Sequence, residues 1–110
     1  MVRGEVENPR SHVTVNVVLS TAAERDVRVA FRWYEDRVSS LGSAFLDEVE
    51  ASLARIAEFP AACPTVHQNV RRALLRRFPY GVFYLIEASR AVVLAVLHQA
   101  QDPERWTKLD

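Results

Sequence analysis

The apolar pattern is densest between Val70 and His98, where it predicts three short β-strands in succession. The strand Val70–Phe78 mixes apolar residues with arginines, as strands do when one face is buried and the other meets water. The next two, Gly81–Ile86 and Ala91–Leu97, are nearly continuous apolar runs rich in β-branched and aromatic residues, which is typical of central strands. The short connection between these two runs predicts a hairpin with antiparallel pairing.

The N-terminal half begins with an alternating pattern over His12–Leu19 that predicts a further strand. Thr21 and Glu24 have the spacing of a capping box, so we expect a helix to begin there. The apolar stripe of this helix consists of Val27, Ala30, Phe31, Tyr34 and Val38. Trp33 lies off that stripe, so it either contacts a partner or flanks the helix pair.

A second helix is predicted after the break at Ser39–Ser43. Gly42 is expected in a left-handed turn, with Ser43 as the N-cap, and the helix ends before Pro60. Its inward stripe consists of Phe45, Val49, Leu53 and Ile56. Two helices joined by so short a loop run antiparallel, and packing both on one sheet face gives a two-layer α+β fold of order β-α-α-β-β-β.

We expect one domain over residues 12–110, preceded by a flexible tail over residues 1–11, which is polar and lacks periodicity. One helix layer cannot cover every apolar residue of the two central strands. The sequence therefore predicts exposed apolar surface on those strands, which a partner would cover.

Charge is balanced over the 110 residues but unevenly placed along the chain. Residues 20–58 hold eight acids against five bases, whereas residues 59–86 hold four arginines and no acid. This basic region either attracts an anionic partner or forms an ordinary solvated sheet face.

Alternation along a strand places Arg72 and Arg76 on one face and Arg71 and Arg77 on the other. A charge under the helix layer would need a partner. One pair is therefore expected to be solvated and the other to bond to helix acids such as Glu48 or Glu58.

No strong catalytic motif is present. Cys63 is the single cysteine, the three histidines lack metal-ligand spacing, and no glycine-rich phosphate loop occurs, so the sequence predicts neither a metal nor a cofactor. His98, at a strand end, is the best candidate for proton chemistry, although a strand-end histidine bonded to nearby backbone is the simpler interpretation. No segment is long and apolar enough to span a bilayer and no signal peptide is evident, so we expect a cytoplasmic protein without a membrane partner.

Beyond these residues, the element order and several short motifs resemble the RelE/ParE superfamily of type II toxin–antitoxin toxins. The motifs occur in the expected order from Val13 to Trp106 and are Trp33-Tyr34-Glu35, Leu41-Gly42, Phe45, Arg76-Arg77-Phe78-Pro79-Tyr80, His98 and Asp102-Pro103-x-x-Trp106. The resemblance implies a toxin that a cognate antitoxin, ParD-like or similar, neutralises in a hetero-oligomeric complex.

The superfamily has two branches with different targets. RelE-like members are ribosome-dependent mRNA endoribonucleases that use clustered basic residues, whereas ParE-like members, associated with plasmid stabilization, block DNA gyrase without being nucleases. In this chain Gly81 stands where the RelE-like branch has an important arginine, and residues 99–101 replace the basic residues expected after the last strand. The resemblance therefore favours the ParE-like branch. A ribonuclease and a degenerate member that still binds antitoxin stay open.

These interpretations name the following candidate residues. Target-binding candidates are Arg71, Arg72, Arg76, Arg77, His98 and Trp106. Antitoxin-binding candidates are Phe31, Trp33, Tyr34 and Leu74. If the chain is a ribonuclease, His98, Arg72 and Arg76 would be its catalytic residues.

Overall fold

The computed structural model describes residues 14–100 and contains two helices and five strands. In chain order they are β1 (Asn16–Leu19), α1 (Thr21–Arg37), α2 (Leu41–Glu58), β2 (Thr65–His67), β3 (Val70–Leu74), β4 (Tyr80–Glu87) and β5 (Arg90–His98). Neither helix could cross a membrane on the criteria of length and apolarity. The predicted tail over residues 1–11 lies outside the described residues.

The strands form one mixed sheet in the order β1-β5-β4-β3-β2. The meander β3-β4-β5 is antiparallel throughout, and β1 joins it as a parallel neighbour of β5. The helices form an antiparallel pair that packs on one face of this sheet. The predicted α+β fold is therefore confirmed, with the short strand β2 added between α2 and β3.

The N-cap lies one residue before the predicted position in α1 and three residues before it in α2. Ser20, not Thr21, is the N-cap of α1, and its hydroxyl accepts a hydrogen bond from the Ala23 amide. Ser40, not Gly42, adopts the left-handed conformation before α2, with φ of 74°. The predicted capping box and the predicted N-cap at Ser43 are thus wrong. Several serine and threonine residues lie near each helix start, and their spacing alone does not show which one is the N-cap.

Gly42 lies inside α2, where it lets the two helices approach closely. A Cβ atom on Gly42 would sit 2.7 Å from the Phe31 carbonyl oxygen and 2.8 Å from Glu35 Oε1. Glu35 reaches across from α1, and its carboxylate accepts hydrogen bonds from the Ser40 and Gly42 amides, each at 2.9 Å. An acid at a helix N-terminus satisfies otherwise unpaired amides and complements the helix dipole, so Glu35 joins the hairpin.

The inward stripes form the main core, with Ala30, Phe45, Val49 and Ile56 buried against the sheet. Val38 departs from its predicted place in the stripe. It lies just beyond the end of α1 and is exposed.

A bulge in β5 divides its apolar residues between the two sheet faces. Phe83 pairs with Ala95 whereas Tyr84 pairs with Val93, so Leu94 is an extra residue on β5. Before the bulge the odd-numbered Val93 faces the helices, and after it the even-numbered Val96 does. The bulge explains why this strand has no clean alternation in sequence.

The opposite sheet face carries a second, smaller apolar cluster. It consists of Val70, Phe83, Ala95 and Leu97, all buried, with Val66 and Leu94 packed against it. The expectation that the central strands leave much apolar surface exposed is therefore wrong. The large exposed apolar residues are instead mostly on helices, edges and connections, namely Val18, Val29, Trp33, Val38, Phe59, Leu74 and Ile86.

Strand β3 ends at Leu74, four residues earlier than predicted, because the chain turns at residues 75–79. Within β3 the alternation holds: Ala73 packs on the main core and Val70 on the opposite cluster. Arg76 and Arg77 lie in the turn and not in a strand. The predicted placement of Arg76 on the same sheet face as Arg72, and of Arg77 on the same face as Arg71, therefore does not apply. The hairpin between β4 and β5 is confirmed, with Ala88 and Ser89 as its turn.

Candidate partner-binding surfaces

The four arginines of the basic region have separate roles. Arg71 is half-buried, and its guanidinium donates hydrogen bonds to the carbonyl oxygens of Ala61 and Cys63, where it closes the connection after α2. Arg77 is exposed and forms an ion pair with Glu48 at 3.2 Å. The predicted bond to a helix acid is thus found at Arg77, whereas Arg71 binds backbone carbonyls.

Glu48 holds the turn after β3 in place. Its Oε1 atom accepts hydrogen bonds from the Arg76 amide at 3.0 Å and the Arg77 amide at 3.2 Å. The Arg77 backbone hydrogen bond is the largest influence that lowers the pKa of Glu48, with the Arg76 amide and the Arg77 side chain acting in the same direction. The turn therefore presents both guanidinium groups to solvent from a backbone anchored on α2.

Arg72 borders a shallow depression on the sheet face opposite the helices, where it pairs with Phe83 of the second apolar cluster. The aliphatic stem of Arg72 packs over Gly81, where a Cβ atom would lie 3.2 Å from Arg72 Cγ. Leu97 and Gln99 also line the depression, which encloses only about 20 Å³. The structure does not bring the three candidate ribonuclease residues together. The Arg72 side chain lies on the sheet face opposite the helices, the His98 ring packs against Tyr80 on the helix side, and Arg76 lies in the turn.

His98 is oriented by its neighbours. Its Nδ1 atom accepts a hydrogen bond from the Ala100 amide at 2.9 Å, and its ring meets Tyr80 edge to face at 5.2 Å between centroids. The backbone hydrogen bond leaves Nε2 as the nitrogen that carries the proton in neutral imidazole. This is the simpler of the two interpretations proposed for the strand-end histidine.

Beside α1, an aromatic cleft is formed by two adjoining hollows of about 300 and 280 Å³. We call it the α1 cleft; its lining includes Asp26, Val29, Trp33, Tyr34, Tyr80 and His98. Trp33 is 49% exposed, and the Arg37 guanidinium stacks 3.6 Å above its ring. Trp33 is thus an accessible surface residue, as a partner contact requires.

The floor of the α1 cleft is a cluster of packed aromatic rings. Tyr34 contacts the rings of Phe45, Phe78 and Tyr80 at centroid distances of 5.4, 4.9 and 6.1 Å. Burial raises the pKa of Tyr34, and it is also the main cause of the raised pKa of Tyr80, so both phenols are neutral at physiological pH. Asp26 accepts a hydrogen bond from the Val96 amide, which links α1 to β5.

A second cavity, of about 360 Å³, lies between the C-terminal half of α2 and the outer edge of β3. We call it the α2–β3 cavity; its lining includes Ser52, Arg55, Phe59, Cys63, Arg72 and Leu74. Phe59 and Leu74 are 54% and 47% exposed at its mouth. Behind it, burial raises the pKa of Tyr84, whose hydroxyl donates a hydrogen bond to the Pro60 carbonyl at 2.6 Å.

The candidate antitoxin-binding residues are divided between these surfaces. Trp33 and Tyr34 line the α1 cleft, and Leu74 lines the α2–β3 cavity. Phe31 is half-buried against α2 at Gly42. Trp106, a target-binding candidate, lies outside the described residues.

Sequence reasoning missed Ser52, Arg55, Phe59 and Asp26 as surface-forming residues. A signal was available for Ser52, because it continues the apolar stripe of α2 at helical spacing between Val49 and Ile56. Arg55, Phe59 and Asp26 could be assigned to these surfaces only from the tertiary structure.

Solved structures share the fold of this chain. A chromosomal ParDE toxin–antitoxin system from P. aeruginosa aligns with a TM-score of 0.70 at 12% identity, over 77% of this chain and 96% of that one. The toxin–antitoxin complex RelBE2 from Mycobacterium tuberculosis aligns with a TM-score of 0.56 at 20% identity, over 81% of this chain and 95% of that one. At such identities the likeness shows the fold. No curated protein sequence matches this chain significantly.

The family itself is defined by sequence. The family model for the ParE toxin of type II toxin–antitoxin systems matches residues 17–103. The chain therefore belongs to the ParE toxin family, and the resemblance to the RelE/ParE superfamily is confirmed.

Proposed function

We propose that this chain inhibits DNA gyrase by binding it, and that a cognate antitoxin neutralises it by covering its apolar surfaces. Membership of the ParE toxin family supports a toxin role. The choice of gyrase rests on the resemblance to the ParE-like branch together with the dispersal of the basic residues.

That dispersal is the observation that carries the proposal. Phosphodiester cleavage needs cationic groups converging on one phosphate, beside a proton donor and acceptor. Here Arg71 is bound to two carbonyls, Arg77 is paired with Glu48, and Arg76 lies in the same turn. These groups suit a protein-binding surface better than a cleavage site.

A ribonuclease is the second candidate, because Arg72 and His98 both contribute to the lining of one depression, with their side chains on opposite faces of the sheet. An arginine can hold a phosphate and a histidine can transfer a proton, but cleavage needs both side chains at the same phosphate. The depression has too little volume for a nucleotide, so this activity would require additional binding surface from a ribosome.

Two assays with purified protein separate the candidates. We expect the unmodified chain to inhibit gyrase supercoiling and to leave ribosome-bound mRNA intact. The double variant Arg76→Ala/Arg77→Ala should weaken gyrase inhibition only in part, because no transition state depends on these side chains. Both guanidinium groups lie at the surface, so the double variant should keep its fold.

His98→Ala tests the ribonuclease candidate, and Arg28→Ala is its matched control. Arg28 is an exposed α1 arginine outside the depression. The gyrase proposal would be refuted by the following combined result. The unmodified protein cleaves mRNA and leaves gyrase unaffected, His98→Ala abolishes the cleavage, and Arg28→Ala preserves it.

A further inference from the structure

The α2–β3 cavity has the volume and the walls of a small-molecule site. Its volume of about 360 Å³ falls within the range of about 300–1,000 Å³ typical of ligand pockets. Much of the wall is apolar, with contributions from Ile56, Phe59, Ala62, Pro64, Ala73 and Leu74. Such a wall favours a small and largely apolar occupant, because both partners then remove apolar surface from water.

Cys63 adds a nucleophile to this wall. It is the single cysteine of the chain, and it is half-buried, with its side chain packed against the main core. The Arg71 guanidinium donates hydrogen bonds to the carbonyl oxygens of Ala61 and Cys63, so the backbone that carries the thiol is held in place. A half-buried thiol in this position is open to reagents that fit the cavity.

The Tyr84 side chain holds the same segment from inside the fold. Tyr84 is fully buried, and its hydroxyl donates a hydrogen bond to the Pro60 carbonyl at 2.6 Å. Burial is the main cause of the raised pKa of Tyr84, and the neighbouring Cys63 side chain acts in the same direction. The thiol therefore lies beside the phenol, and Arg71 and Tyr84 together fix its position relative to the cavity.

Ser52 supplies a hydrogen-bond donor inside the cavity. The residue is 1% exposed, and among the described residues its hydroxyl has no hydrogen-bond partner. A buried hydroxyl without a partner costs free energy, and native proteins rarely leave one unsatisfied. Ser52 lines the cavity together with Cys63, so an acceptor oxygen on an apolar occupant would satisfy the hydroxyl close to the nucleophile.

We propose that the α2–β3 cavity binds small apolar α,β-unsaturated carbonyl compounds and that Cys63 is the residue they modify. The Ser52 hydroxyl donates to the carbonyl oxygen, and the Cys63 sulfur forms a bond to the β-carbon while the carbon–carbon π bond breaks. The electron pair moves to the carbonyl oxygen as an enolate, which the Ser52 hydrogen bond stabilises. The thiol proton passes to water and a proton from water reaches the α-carbon, so the adduct keeps every atom and the step needs no oxidant or reductant.

Two probes that undergo the same addition test whether the cavity selects its ligand. Cyclohexenone is an apolar enone, whereas acrylamide is polar. Intact-mass spectrometry follows adduct formation, and each rate is divided by the rate for N-acetylcysteine at the same pH, so that intrinsic reactivity cancels. We expect this ratio to be at least about tenfold larger for cyclohexenone than for acrylamide, because its methylene groups are buried in the cavity. Cys63→Ser should abolish the adduct.

Ser52→Ala tests the hydroxyl. Thermal unfolding should show that this variant folds at least as stably as the unmodified chain, because the change removes a buried group that has no partner. Its rate with cyclohexenone should fall at least about fivefold. The matched control is Ser43→Ala, an exposed position of the same helix outside the cavity, which should change the rate less than about twofold.

Cyclohexanone, the saturated analogue, binds without reacting and locates the site by NMR titration of the isotope-labelled protein. It should shift the amides of Ser52, Ile56 and Ala73, and shifts confined to the α1 cleft would overturn the assignment. Equal rate ratios for the two reactive probes would exclude selection by the cavity. A folded Ser52→Ala variant that reacts as fast as the unmodified chain would exclude the hydroxyl. These measurements involve neither gyrase nor an antitoxin, so they test the site independently of the proposed function.

Discussion

At the scale of single residues, Gly42 shows how one position sets the distance between two helices. The Phe31 carbonyl and the Glu35 carboxylate occupy the space that any side chain at this position would need. We expect Gly42→Ala to reduce the free energy of unfolding by about 1–3 kcal/mol through overpacking. Ser43→Ala, its exposed neighbour in α2, is the control and should change it by less than about 0.5 kcal/mol. Chemical denaturation of both variants measures these changes. Equal losses of unfolding free energy in the two variants would show that the helices can move apart to accommodate a side chain at position 42.

Glu48 gives the turn after β3 a dependence on pH. Its folded-state pKa lies below the ordinary value of 4.5, chiefly because the Arg77 amide donates to the carboxylate. The stabilisation is therefore present above the ordinary pKa and is lost as pH falls through the lowered one. An NMR titration should show the Arg76 and Arg77 amides moving together with the Glu48 carboxyl in that acidic range.

Glu48→Gln is the control for that titration, because it removes the titrating group and keeps an acceptor oxygen. The acid dependence of unfolding should become shallower in this variant. Amide shifts at Arg76 that persist unchanged in Glu48→Gln would mean that another group controls the turn.

At the scale of secondary structure, the helices could be predicted from sequence because their apolar stripes have a clear period. Phe45, Val49 and Ile56 are buried as predicted. Unfolding measurements should show a loss of about 3–5 kcal/mol for Phe45→Ala, since this residue is fully enclosed. Phe59→Ala, in the exposed C-cap of the same helix, should lose less than about 1 kcal/mol. Similar losses would contradict the described inward face of α2.

The strands were less predictable because several of their features arise from tertiary contacts. The run of residues 70–78 has the pattern of one strand, yet β3 ends at Leu74, where Glu48 of a distant helix captures the amides of the turn. The bulge at Leu94 leaves no local mark in an apolar run that is buried on both faces. Equally, neither surface cavity could be inferred, since each joins residues from a helix and a separate strand.

At the scale of the whole molecule, stability is expected to decrease from the centre of the sheet to its edges. The hairpin β4–β5 pairs over its full length and contributes buried residues to both apolar clusters, whereas β2 has three residues, none of them fully buried. Amides in the core of a fold exchange with solvent only on global unfolding, while edge segments open locally. Partner surfaces on the β3 side therefore lie toward an edge of the sheet, where local opening is expected to cost less free energy than at β4 and β5.

Hydrogen exchange followed by NMR tests this gradient and the openness of the β3 edge together. The Val82 and Tyr84 amides should rank among the slowest to exchange, because they lie in the fully buried part of β4. At the end of β3 the two neighbouring rates should differ: Leu75, whose amide bonds to Tyr80, should be protected, whereas Leu74, whose amide points outward, should exchange much faster. The comparison is internal, since the two residues are adjacent and share one backbone environment. Equal protection at both positions would show that the outer edge is already paired.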